Sequence, residues 1–287
     1  MKTLGILFNA EKPQVAALLP RIARNASALG VKLISCQAVR PVPAGLKQVS
    51  EKEFASRIDA LITLGGDGTL LQSIRLLQRK SLPVLGINLG RLGFLTSATE
   101  SQLDESLHAL VAGTYATSHR TMIEASIRPV TGKARRQHIA LNDIVIGWGQ
   151  STRIVTLDVS INGEPVTSYR CDGIIVSTPT GSTGHSLSAG GPILHPEAHA
   201  LILNVVCPHT LSARPLVIPD DAEIKIFVKL TGKELLLSVD GQDDGSLSQG
   251  DEIVIKKSSR HFQLAHLAGY SYYSVLRQKL QWSGSTA

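Results

Sequence analysis

A chain of 287 residues fits one large domain or two ordinary ones, and 43% hydrophobic with 18% charged residues describes a soluble globular protein. The net charge of +6 suits anionic ligands, yet the basic residues are scattered apart from the short cluster Lys133-Ala134-Arg135-Arg136, and aromatics make up only 4%. Together these argue against nucleic acid as a partner. The amino-terminal stretch Met1 to Phe8 is too short for a signal peptide and reads as a strand, and no window approaches membrane-spanning length. Cys36, Cys171 and Cys207 lie far apart without CxxC spacing, against a disulfide framework or a structural zinc site. A reducing cytoplasm is the expected location.

The first third alternates strand and helix. Leu4 to Phe8 predicts a strand, and Val15, Leu18, Leu19, Ile22, Ala23, Ala26 and Leu29 form one helical stripe closed by Gly30. Val31 to Ser35, Leu61 to Leu64 and Pro83 to Ile87 predict further strands. Ser101 to Ala112 predicts a helix with Ser101 as N-cap and Asp104 at N3. Strands spaced by helices imply parallel pairing in an open α/β layer.

Gly65-Gly66-Asp67-Gly68-Thr69 follows the Leu61 to Leu64 strand, and Leu70 to Leu77 continues at helical spacing. Glycines here let a phosphate approach the backbone, and a helix amino terminus faces the same point. Asp67 becomes an acid at the carboxyl end of a strand, where open α/β sheets place their ligands.

The texture changes near residue 120. Val155, Leu157, Val159 and Ile161 alternate with polar residues, and Asn162-Gly163 then signals a hairpin. Ile224, Ile226, Val228 and Leu230 repeat the pattern, Thr231-Gly232-Lys233 predicts a turn, and Leu235, Leu237 and Val239 predict the returning strand. Ile253 to Ile255 adds another. This half is expected to be antiparallel β in two packed sheets. The stripe Tyr273, Leu276 and Leu280 predicts a closing helix that returns to the first domain. The expected domains are 1–118 with 266–287, and 119–265.

A second glycine loop follows the strand Gly173 to Ser177. From Thr178 to Ser188 it carries six hydroxyls, at Thr178, Thr180, Ser182, Thr183, Ser186 and Ser188, with Pro179 stiffening its entry. Hydroxyls and free amides suit a ligand with phosphates and sugar hydroxyls. The loop matches neither the Walker nor the Rossmann fingerprint.

These segments, with Asn88 to Leu95, Leu141-Asn142-Asp143, Ser186 to Pro192 and Cys207 to Leu216, resemble the NAD kinase family over nearly the whole chain. Lipid kinases share the Asp67 loop alone, without the Asn142-Asp143 pair or the Thr180 loop. A nucleotide sensor without turnover is a third reading, disfavoured by the intact Asp67 loop. The resemblance implies phosphoryl transfer from ATP or polyphosphate, with Mg2+, to the 2′-hydroxyl of the adenosine ribose of NAD. It also implies an α/β first domain, a β-sandwich second domain, a site between them, and a homodimer or homotetramer.

On this resemblance Asp67 is the catalytic carboxylate, either taking the hydroxyl proton or orienting the hydroxyl or magnesium. Gly65, Gly66, Gly68 and Thr69 are expected on donor phosphates. Gly68, Asn142, Asp143, Asp172, Thr183, Gly184, His185, Ser188 and Gln242 are expected on NAD. The magnesium arrives with the phosphates, since no His/Cys cluster offers ligand spacing. Two positions depart from the family: Asp143 stands where Glu is common, and Gly184-His185 where Ala-Tyr is common. The imidazole is expected to stack on adenine.

Overall fold

The computed structural model describes residues 1–77, 80–90, 93–130, 136–147, 154–231 and 235–282. The basic run 133–135 and Gly232 and Lys233 of the predicted turn lie outside the described residues, as do Arg91 and Leu92. The chain forms two compact units, Met1–His119 with Phe262–Ala287, and Arg120–His261.

The first unit begins with β1 (Thr3–Phe8), α1 (Gln14–Ala28), β2 (Lys32–Ser35), β3 (Leu46–Gln48) and α2 (Glu51–Arg57). It continues through β4 (Ala60–Gly65), α3 (Asp67–Leu77), β5 (Pro83–Asn88), β6 (Ala98–Thr99) and α4 (Leu103–Ala112). The spatial order β3-β2-β1-β4-β5 is parallel throughout. Strand order reverses between β1 and β4, so their carboxyl ends splay apart at a topological switch point. The buried face of α1 (Val15, Leu18, Leu19, Ile22, Ala23 and Ala26) packs on Leu4, Ile6, Leu33 and Ile62 of the sheet. The α1 helix ends in a Schellman arrangement: Gly30, at φ +71°, donates to Ser27 O, and Val31 N donates to Ala26 O.

The cap of the α4 segment differs from expectation. Thr99 N donates to Gln102 Oε1 at 3.2 Å in a capping box, and the helix is entered through a 3-10 turn over Glu100–Gln102. The box lies two residues before the predicted Ser101, because Thr99 to Gln102 fits the spacing with a longer, neutral N3 partner. Asp104 instead accepts from Asn25 Nδ2 at 2.7 Å and pairs with Arg21, tying α4 to α1.

The second unit holds most of β7 (Ala116–Arg128), then β8 (Arg136–Ala140), β9 (Asp143–Gly147), β10 (Val155–Ile161), β11 (Glu164–Cys171) and β12 (Gly173–Ser177). After a 3-10 turn (Thr180–Thr183) come α5 (His185–Ser188), β13 (Ala200–Val206), β14 (Leu216–Pro219), β15 (Ile224–Leu230), β16 (Leu235–Val239), β17 (Gln242–Leu247) and β18 (Glu252–His266). The last strand ends in the first unit, where Gln263 and Leu264 pair with Pro83 and Val84 of β5, and α6 (Tyr272–Leu280) follows. Ser271 caps α6 by accepting from Ser274 N at 3.3 Å.

Two antiparallel layers face one another in the second unit. One runs β11-β10-β15-β18 and the other β14-β13-β12-β9-β16-β17. Their inner faces meet in one core that includes Leu157, Val159, Ile224 and Ile226 from the first layer and Ile144, Ile146, Ile174 and Leu237 from the second. The Asn162-Gly163 turn has both residues at positive φ, +52° and +82°, and joins β10 to β11 as the predicted hairpin.

One strand pairing is a correction. The strands on either side of Thr231 both form, but β15 pairs with β10 and β18, while β16 pairs with β9 and β17. The chain changes sheets there rather than making a hairpin. A period of two fixes which face is buried and says nothing of the neighbour, so a sheet crossing and a hairpin look alike in sequence. The hairpin lies one strand later, at Asp240-Gly241, with φ of +51° and +76°.

Candidate active site

In the first unit the Asp67 loop leaves β4 at the switch point beside the end of β1, where Asn9 N donates to Leu64 O at 2.9 Å. Asp67 opens α3. Its carboxylate is fixed by the loop after β5: Oδ2 accepts from Phe94 N at 2.8 Å, and Oδ1 accepts from Leu95 N at 3.0 Å and Thr96 N at 3.2 Å. A carboxylate has about four acceptor positions, so these three bonds leave one open, on Oδ2.

That loop has its own scaffold. Asn88 Oδ1 accepts from Gly90 N at 2.7 Å, and Asn88 Nδ2 donates to Thr96 Oγ1 at 3.1 Å. Thr96 Oγ1 also accepts from Gly93 N at 3.0 Å. A Cβ on Gly93 would stand 1.9 Å from Asp67 Oδ1, so only glycine allows this approach. Asn88 and Thr96 are therefore support that sequence reading did not assign. The polar Asn and Thr at the two ends of a glycine-bearing loop were the available signal.

The glycines of the loop have different duties. A Cβ on Gly65 would lie 2.2 Å from Thr69 Oγ1, so Gly65 makes room for protein. Gly66 and Gly68 face open space. The Thr69 amide donates to Gly66 O at 3.1 Å, and the Thr69 side chain is buried against Gly65. Thr69 thus closes the first turn of α3.

In the second unit a polar cluster forms where β9 begins and β12 ends. Antiparallel pairing sets Ser177 opposite Asp143. Thr178 Oγ1 donates to Leu141 O at 2.5 Å and accepts from Gly181 N at 3.1 Å. Thr178 N donates to Asn142 O at 2.9 Å, and a Cβ on Gly181 would be 2.1 Å from that same carbonyl. The Thr178 to Thr183 loop is therefore clasped onto Leu141-Asn142. Asn142 Oδ1 and Thr180 Oγ1 are buried there without a hydrogen-bond partner.

Asp240 holds the other side. Its Oδ2 accepts from Leu141 N at 2.9 Å, and its Oδ1 accepts from Asn142 N at 2.7 Å and Asp143 N at 3.2 Å. Burial pushes the Asp240 carboxyl up to about 6, with the neighbouring Asp143 adding to the rise against the pull of those amides. Sequence reading assigned Gln242, which pairs with Val239 just past the turn. The side chain that organises the loop is Asp240, two residues earlier.

Asp143 is 1% exposed. His185 Nδ1 lies 3.1 Å from its Oδ1 and 3.3 Å from its Oδ2. The hydrogen bond to Asp143 raises the affinity of the imidazole for its proton, against desolvation. A Cβ on Gly184 would lie 3.2 Å from Gly181 O and 3.5 Å from Asp143 Oδ2, so the chain passes close beside that acid. Thr183 Oγ1 turns back to Thr180 O at 3.3 Å. Asn204 Nδ2 donates to Ser186 O and Ala189 O, each at 3.1 Å, and fastens α5 over the outer face of the β12–β13 sheet.

A cavity of about 260 Å3 opens on that outer face, lined by Val145, Gly147 and Ile175 of the sheet and by His185 and Ser188 of α5. The alternation that buries Ile144, Ile146 and Ile174 in the core turns Val145 and Ile175 to this side. Asp172 lies at the far end, where its amide donates to Val206 O at 3.0 Å and its carboxylate faces the Cys207 thiol, raising that thiol's affinity for its proton. From Asp143 to Gly147 the strand covers about 13 Å. The structure thus gathers Asn142, Asp143, Thr183, Gly184, His185 and Ser188 around the start of β9 and places Asp172 beside the opposite end of the β9–β12 pair.

An open sheet of order 3-2-1-4-5 with a glycine loop at its switch point, followed by a β-sandwich with a polar clasp, defines a nucleotide-binding protein. Family comparison makes this specific. Residues 4–115 match the ATP-NAD kinase N-terminal domain and residues 141–267 the ATP-NAD kinase C-terminal domain. An NAD kinase of Magnetococcus marinus is 46% identical over 245 residues, 85% of this chain and 80% of the relative. An NAD kinase of Citrifermentans bemidjiense is 40% identical over 98% of this chain and 99% of its own. Among solved structures, yeast NADH kinase complexed with NADH is 27% identical with a TM-score of 0.92, over 100% of this chain and 89% of that one. An NAD kinase from Archaeoglobus fulgidus in complex with ATP is 25% identical with a TM-score of 0.75, over 99% of this chain and 100% of that one. The chain belongs to the NAD kinase family, phosphotransferases that convert NAD to NADP.

Proposed function

We propose that the chain transfers the terminal phosphoryl group of ATP or polyphosphate to the 2′-hydroxyl of the adenosine ribose of NAD, with Asp67 addressing that hydroxyl. In the transfer the ribose oxygen bonds to phosphorus as the bridging P–O bond of the donor breaks, and the hydroxyl proton leaves. The observation that carries the reading is the state of the Asp67 carboxylate. Three backbone amides fix it and leave one acceptor position on Oδ2, enough to orient a hydroxyl and receive its proton.

The supporting roles follow from what each group can still bond. Gly66 and Gly68 give a phosphate open access to the amino-terminal turn of α3, whose dipole favours negative charge. Asn142 and Thr180 offer orphaned buried oxygens to adenosine donors, and Asp143 offers a carboxylate suited to ribose hydroxyls. The groove toward Asp172 gives the dinucleotide its length. The similar Archaeoglobus structure, solved with ATP, supports ATP as donor.

A divalent cation fits as a companion of the donor phosphates. Among the described residues no group of three His, Cys, Asp or Glu side chains is placed to hold one, so phosphates and waters would complete its shell beside the Asp67 loop. When bound it neutralises charge on the transferring phosphoryl group. Cytoplasmic location agrees with the free Cys36, Cys171 and Cys207. Assembly as a homodimer or homotetramer follows from the family resemblance.

The test is a coupled assay of protein, NAD, ATP and magnesium, with NADP detected by an NADP-specific dehydrogenase. Asp67→Asn should lose turnover by roughly 10²–10⁴-fold while largely keeping NAD affinity. Normal turnover in that variant would remove Asp67 from the chemistry.

A further inference from the structure

His185 stands apart from the rest of the dinucleotide clasp. Its side chain is 48% exposed and lines the 260 Å3 groove, while the carboxylate it touches is 1% exposed. The ring nitrogen Nδ1 reaches both oxygens of Asp143, at 3.1 and 3.3 Å. A Cβ on Gly241 would lie 3.6 Å from His185 Cε1, so the ring also sits against the turn that carries Asp240.

The charged surroundings are one-sided. Asp143 of β9 and Asp240 of the β16–β17 turn face the ring, and both are acids. Among the described residues, the Thr180–Thr183 turn and β12 present hydroxyls and aliphatics to α5, and β13 presents the Asn204 amide. A buried carboxylate without a partner would be costly, and His185 Nδ1 is in reach of both of its oxygens. The hydrogen bond to Asp143 raises the proton affinity of the ring that faces it.

We propose that His185 is the positioning residue for Asp143 and the cation of the groove, holding the anionic phosphates of NAD by charge rather than stacking on its base. This deepens the reading of the site as an NAD site and rests on it. The protonated ring keeps Asp143 oriented toward the ribose and offsets one of the two acids. Loss of one proton leaves Asp143 facing only a neutral N–H and removes a positive charge from a groove that must accept a pyrophosphate. NAD binding therefore weakens as pH rises through the titration of His185.

The test measures KM for NAD and kcat from pH 6.5 to 9, with NAD binding followed separately by calorimetry without donor. The native protein should show KM and dissociation constant rising on the order of fivefold across this range, with kcat changing far less. His185→Gln, which keeps a hydrogen-bond donor but does not titrate, should give a flat profile near the high-pH value. The Cε1–H resonance of His185 should titrate above the ordinary histidine value, and its midpoint should fall in Asp143→Asn. A flat native profile, an unchanged slope in His185→Gln, or a midpoint indifferent to Asp143→Asn overturns the inference. Absence of NADP at every pH would instead overturn the assigned activity, while the calorimetric slope still judges His185.

Discussion

Gly93→Ala is the sharpest test of how the Asp67 site is built. The new methyl group would stand 1.9 Å from Asp67 Oδ1, 2.5 Å from Cγ and 2.7 Å from Oδ2. Ordinary contact begins near 3.4 Å, so one of the two groups must move by about 1.5 Å. The amide bonds to Asp67, at 2.8, 3.0 and 3.2 Å, cannot survive a shift of that size. A displacement of roughly 1 Å at a reacting group costs on the order of 10²-fold in rate. Turnover in the coupled NADP assay should fall at least that far. Stability should fall by about 2–4 kcal/mol, because the charge-assisted bonds are lost while the freed carboxylate recovers part of their value in water. Gly66→Ala is the matched control: its Cβ meets open space, so thermal stability should hold while KM for ATP rises. Native turnover in Gly93→Ala would show that Asp67 works in some other position, and the account of the amide cradle would fail.

Two further outcomes concern the second unit. Thr178→Val removes a hydroxyl that donates to Leu141 O and accepts from Gly181 N in a fully buried position. Orphaning both partners should cost about 2–4 kcal/mol in urea unfolding and raise KM for NAD, and a loss under 1 kcal/mol would show that the clasp is not held there. Asp240 gives a pH signature. Its carboxyl is raised from 3.8 to about 6 in the fold, so the native state holds that proton more tightly than the unfolded chain. The resulting stabilisation is complete below 3.8 and is lost as pH rises through about 6, a change of about 3 kcal/mol. The native protein should therefore lose stability between pH 4 and 6.5 relative to Asp240→Asn. Parallel stability profiles for the two proteins would place the ionisation elsewhere.

What could be read without coordinates was local. Leu61 to Leu64 declares a buried strand, the glycines after it declare a close approach, and the stripe from Val15 to Leu29 declares a packed helix. Each is set by side-chain periodicity or by the φ freedom of one residue, which neighbours in sequence determine. The positive-φ turn at Asn162-Gly163 fixed its own hairpin for the same reason. The capping box missed Ser101 because several nearby residues satisfy the same short pattern, and only the path of the chain into α4 selects Thr99.

The tertiary structure decided what touches what. The amide cradle of Asp67 comes from residues 27 to 29 positions away, and the carboxylate that organises Leu141 to Asp143 comes from Asp240, 97 to 99 positions away. The role of Asp240 is invisible in the sequence, because burial and accepted amides leave no trace in composition. The Thr231 strands were equally legible as a hairpin or as a change of sheet, since alternation records burial and not partner. By itself, then, the sequence determined the elements, their buried faces and the chemical types gathered in the loops. Which acid is pinned, which is raised in pKa and which meets an imidazole depended on distances between segments remote in the chain, and those distances exist only once the layers have packed.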